Sequence, residues 1–165
     1  MERISADLVK RIADHMRSLQ PADTPPVIKA MSMEQPVLFA YLMAIGKGDF
    51  DQSEQELILD LGVTIWQIMK QGAESLSPLA QETLSRVEKR NLAMLQYLQS
   101  EPESEFENTV KLVFQHYNQP EVLRYVLDAI MEESPGKTPV SDENKGLVLY
   151  YLKNLIDALD AETTA

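Results

Sequence analysis

Seven stretches of this chain repeat apolar residues every three or four positions, and proline, glycine or short polar runs separate them. That spacing builds amphipathic helices and leaves no sustained alternation at period two, which a half-buried strand requires. The fold class this predicts is all-α, a single-domain bundle of about seven helices over residues 1–165.

Ile4, Leu8, Ile12, Met16 and Leu19 form the first stripe. Pro21 and the pair Pro25-Pro26 follow, and because a proline disfavours helical geometry in the residue before it, residues 20–31 are expected to be mostly connector. Ser32 with Gln35 suggests a capping box, and Pro36 suits the first turn of a helix running to Ile45. That helix is apolar nearly all round, through Val37, Leu38, Phe39, Tyr41, Leu42, Met43 and Ile45, and is therefore the expected central helix.

Ser53 with Glu56 reads as the cap of the next helix, which carries Leu57, Ile58, Leu61, Ile65, Ile68 and Met69 and ends near Gly72. Gly62 inside it costs about 1 kcal/mol relative to alanine, so a close helix approach is expected there. Ser77-Pro78 opens a long helix over 78–99, Phe106 to Tyr117 marks another, and Pro120 opens a third through Met131. Ser141 is the expected cap of the last, with Leu147, Val148, Tyr151, Leu152, Leu155, Ile156 and Leu159 as its core positions.

Val37-Leu38, Leu42 and Ala44-Ile45 align with Val122-Leu123, Leu127 and Ala129-Ile130, and a Gln-Pro pair lies just upstream of each set. Leu57-Ile58-Leu59 then falls on Leu147-Val148-Leu149. The expectation is two degenerate three-helix halves, 1–72 and 103–160, joined by the helix over 78–99.

With no cysteine, thiolate metal sites, disulfides and a cysteine nucleophile are excluded. The charged N-terminal residues do not read as a signal peptide, and a reducing cytoplasm is the expected compartment. The longest uncharged run, Gln35 to Gly46, falls short of the about 20 apolar residues a membrane span needs. Net charge is −11, with 7 Lys/Arg against 12 Asp/Glu up to residue 82 and 8 against 14 beyond it. Neither half offers the clustered cations that nucleic acid or an anionic membrane demands, so neither is an expected partner.

Catalytic motifs are absent. Neither His15 nor His116 has a glutamate three residues before it, as a di-iron helix pair would, and no metal or cofactor is expected. Asp49 to Ser53 resembles the opening of a calcium loop, but Glu54 stands where its glycine belongs and Asp60 where its glutamate does. Gly46-Lys47-Gly48 is no phosphate loop, and no nucleophile stands out. The balance is against an enzyme.

The function this favours is a protein–protein interaction module, with a basic partner or a homodimer as the occupant. The rival is a small enzyme or ligand-binding protein with a polar site between helices, near His116 and Tyr117. An acidic inhibitor of the immunity-protein type is a third reading. His116, Tyr117, Trp66, Tyr41 and Tyr125 are the candidate pocket or interface residues, since tyrosine and tryptophan are enriched at binding surfaces. A deep pocket with converging polar groups near His116 would favour the rival.

Overall fold

The computed structural model describes residues 1–45, 47–100, 108, 111–112, 114–132 and 140–163. Its helices are α1 (Ala6–Ser18), α2 (Thr24–Glu34), α3 (Pro36–Ile45), α4 (Gln52–Gly72), α5 (Gln81–Ser100), α6 (Pro120–Met131) and α7 (Asp142–Thr163). No strand occurs among the described residues, and the helices share one apolar core. The expected helix over 106–117 lies largely outside the described residues, although Lys111, Leu112, Phe114 and Gln115 are helical. No helix among the described residues is long and apolar enough to cross a membrane.

α7 and α4 form the centre. Val148, Leu152, Leu155, Ile156, Ala158 and Leu159 of α7 are fully buried, as are Ile65, Ile68 and Met69 of α4. α5, α4 and α6 all pack on α7, while α1, α2 and α3 pack on α4. This corrects the expectation for 36–45: α3 buries Leu38, Leu42 and Ile45 but leaves Ala40, Met43 and Ala44 exposed. Its apolar girth reflects small and flexible side chains at the surface as well as core positions.

Three helix boundaries also differ from their expected places. Residues 24–34 form α2, because Pro25 and Pro26 follow Thr24 in its first turn, where a missing N–H removes no intrahelical bond. The box that caps α4 is Asp51 with Glu54, two residues before Ser53 and Glu56. α5 starts at Gln81, because Ser77 to Leu79 is held by a remote side chain before the helix begins.

That side chain is Gln35, 1% exposed, whose Oε1 accepts from Leu79 N at 2.7 Å while its Nε2 donates to Ser77 O at 3.0 Å. Gln119, equally buried, treats the segment before α1 in the same way. Its Oε1 accepts from Ile4 N at 3.0 Å and its Nε2 donates to Glu2 O at 3.1 Å. Each glutamine precedes a helix-opening proline, and each clamps the backbone two residues ahead of a distant helix.

One carboxylate ties the first turns of the two central helices together. Glu54 Oε2 accepts from Asp51 N at 3.1 Å and from Asn144 Nδ2 at 2.9 Å, and its Oε1 accepts from Ser141 N at 3.0 Å. Burial pushes the Glu54 carboxyl up, but the donors from Ser141, Asn144 and Asp51 outweigh it and hold the group below its ordinary range.

Gly62 sits where α4 meets α3. A Cβ on it would fall 2.5 Å from Leu42 Cδ2, so the glycine is what lets these helices approach.

Candidate functional site

α7 is a central helix, yet one side of it is polar: Tyr150, Lys153, Asn154, Asp157 and Asp160 recur at three- and four-residue spacing. That stripe faces α5 and the turn at 116–119 that precedes α6.

Asp157, its side chain 6% exposed, is the hub. Its Oδ2 accepts from Lys153 Nζ at 2.6 Å, Asn91 Nδ2 at 2.8 Å and Arg90 Nη2 at 3.0 Å, and its Oδ1 accepts from the Tyr117 hydroxyl at 2.6 Å. Asn91 closes the ring by accepting from Lys153 Nζ at 3.2 Å and donating to Asn154 Oδ1 at 2.8 Å. Lys153 Nζ lies 4.8 Å from the centre of the Tyr117 ring, over the negative face of its π-system. Burial above all, and then the Asp157 charge, raises the Tyr117 phenol well above its ordinary value. The hydroxyl therefore stays a donor to Asp157.

Three residues on, Asp160 is 7% exposed and bound differently. Gln119 Nε2 donates to its Oδ1 at 2.9 Å and Asn118 Nδ2 to its Oδ2 at 3.0 Å, but it forms no ion pair among the described residues. It stands in the last turn of α7, where the helix dipole disfavours a negative charge and no basic residue offsets it.

Above these groups lies an open concavity of about 400 Å³, walled by Arg90, His116, Asn118, Lys153, Asp157 and Asp160 with Tyr117 and Gln119 on its floor. Arg90 engages Asp157 through one nitrogen while its side chain remains 65% exposed, and His116 is exposed on the rim. No three His, Asp or Glu side chains among the described residues converge as a metal site would need.

Of the five residues singled out from the sequence, His116 and Tyr117 line this concavity. Tyr41 joins from the far side, where its hydroxyl accepts from Asn154 Nδ2 at 3.0 Å. Burial first raises the Tyr41 phenol, against the lowering effect of the Asn154 bond. Trp66 and Tyr125 stand apart from it. Trp66 is 1% exposed under Lys70, whose Nζ lies 5.1 Å from the ring centre, and its indole N–H has no partner among the described residues. Tyr125 is half-buried on α6 and shares a hydrogen bond with Thr64.

Sequence reasoning passed over Asn91, Lys153, Asn154, Asp157 and Asp160. The four on α7 share one helical face, which in the sequence reads as solvated and is turned inward only by α5 packing across it. The chain matches no protein-family model, and no curated protein or solved structure matches it either.

Proposed function

We propose that this protein is a ligand-binding module that recognises a small charged molecule in the concavity between α5, α7 and the 116–119 turn. The observation that carries the reading is Asp160, a nearly buried carboxylate on the concavity wall with amide donors and no ion-pair partner among the described residues. A buried charge without a partner of opposite sign is costly, and a cationic group entering the concavity would offset that cost. Lys153, Asp157 and Asn91 bond one another, which suits a rigid recognition surface better than a reacting group.

Saturation-transfer NMR against a mixture of small amines, amino acids, carboxylates and sugars tests this. Signals from cationic components that disappear in Asp160→Asn are expected. Their absence from the parent protein, or their persistence in the variant, rejects the reading.

A second reading, an interaction module for a basic protein partner, draws on the net charge of −11 and on exposed Met33, Met43, Leu92 and Met131. These apolar side chains are spread over α2, α3, α5 and α6, which is why it ranks second. Its test is recovery of a stoichiometric partner from native lysate that high salt releases, beside light scattering for the mass of the purified protein.

A further inference from the structure

The charges around the concavity are not evenly mixed. Arg90 and Lys153 both pair with Asp157, so that end carries one positive charge in excess. Asp160 carries one negative charge with no ion-pair partner among the described residues. The two carboxylate positions are three residues apart on one helix, which sets their Cβ atoms about 5–6 Å from each other. The wall is therefore a short fixed dipole, positive toward Arg90 and negative toward Asp160.

Counting from cap to cap, Asp51 on α4 to Ser141 on α7, the counterpart of Asp160 is Lys70. Lys70 has its partner within the chain, the Glu34 carboxylate at 2.6 Å. Where one central helix ends in an ion pair, the other ends in a carboxylate with no ion-pair partner among the described residues.

Resting on the ligand-binding reading above, we infer that the ligand is a small zwitterion with the head group of an α-amino acid. Its ammonium sits on Asp160, and its carboxylate meets the guanidinium nitrogens of Arg90 other than the one on Asp157, with His116 at the rim. A lone amine would leave the excess charge at Arg90 unanswered, and a lone carboxylate would face Asp160 without compensation. Hydrogen bonds between ionised groups in a partly desolvated site are the stronger kind, so each end contributes to affinity. A concavity of about 400 Å³ holds such a molecule, since small-molecule sites run from roughly 300 to 1,000 Å³.

The experiment is a titration of the ¹⁵N-labelled protein with each of the twenty common L-amino acids, followed by ¹H–¹⁵N correlation spectra. The tightest binder is then compared with its C-terminal amide, which keeps the cation, and its N-acetyl derivative, which keeps the anion. The expected result is saturable shifts at 116–119 and 153–161, with each half-molecule binding at least about tenfold more weakly. Arg90→Gln should erase the advantage over the amide, and Asp160→Asn the advantage over the N-acetyl form. Arg90 is exposed, so its variant remains informative if Asp160→Asn fails to fold. An amide that binds as tightly as the amino acid overturns the zwitterion and leaves the ligand-binding reading standing. No saturable shift with any amino acid or derivative also overturns the zwitterion, and the ligand-binding reading falls with it only if the small amines give no saturation-transfer signal.

Discussion

Gln35 and Gln119 do the same task at opposite places in the bundle: each grips alternate backbone groups of a segment, residues 77 and 79 or residues 2 and 4, and so fixes where a distant helix begins. A side-chain amide has one acceptor and one donor end, which is the complement of an extended backbone. Gln119 has the additional bond to Asp160, so the same side chain that holds the N-terminal segment also shapes the concavity.

Gln119→Ala should therefore destabilise the fold, because it leaves the buried Ile4 N–H without its acceptor and removes a donor from Asp160. Each unsatisfied buried group costs about 1–3 kcal/mol, and a total near 2 kcal/mol lowers Tm by about 4–8 °C in a chain of this size. Gln35→Ala should fall by a similar amount in thermal denaturation. An unchanged Tm in both variants would show that water replaces the amides freely.

Asp157→Leu should be among the most damaging substitutions, since it strands Lys153 as a buried cation, leaves the Tyr117 hydroxyl without its acceptor and takes from Asn91 one of its two. Breaking such a pair costs about 3–5 kcal/mol. Lys153→Met combined with Asp157→Leu should cost less than Asp157→Leu alone. Urea denaturation of the two single variants and the double variant measures the difference, and strict additivity would contradict the network.

Stability at acid pH should report Glu54. Its carboxyl is held below the ordinary 4.5, so the stabilisation is complete above that value and is lost as pH falls through the lower native value. Glu54→Gln should therefore be less stable than the parent at neutral pH, and the gap should narrow below about pH 4.5 as the parent itself becomes protonated. Urea midpoints across pH 3–7 check it, and a constant gap would mean that the charge of Glu54 contributes nothing.

Gly62→Ala should lower stability although alanine is the better helix former by about 1 kcal/mol, because the new methyl meets the buried Leu42 side chain. In a Leu42→Ala background the clash is gone, and the same substitution should stabilise by about 1 kcal/mol. A sign reversal between backgrounds, read from chemical denaturation, is the expected signature.

Much of the fold was legible in the residues. Apolar spacing located the cores of the helices, and proline at the first helical position marked α3 and α6. Gly62 was readable as a close approach because nothing else justifies a glycine there. The α2 boundary was not, since Pro25 and Pro26 can equally end one element or open the next, and only the tertiary arrangement decides. The site was half legible. His116 and Tyr117 flank a turn between helices, a place where pockets form, whereas Lys153, Asp157 and Asp160 look on paper like a solvated face. What turns that face inward is α5 packing across it, with Asn91 as the polar residue that meets it. No local pattern announces a contact between positions 91 and 154.

The clamp of Gln119 on the N-terminal segment also has a meaning in time. Ile4 N and its acceptor are 115 residues apart. A ribosome adding roughly 5–20 residues per second takes about 6–23 seconds to travel that distance. Throughout that interval Ile4, which ends buried against Gly72, has no amide to hold its backbone. The segment around Ile4 thus settles only after residue 119 has been made, and a chain stalled before Gln119 would present it to whatever chaperone is nearest.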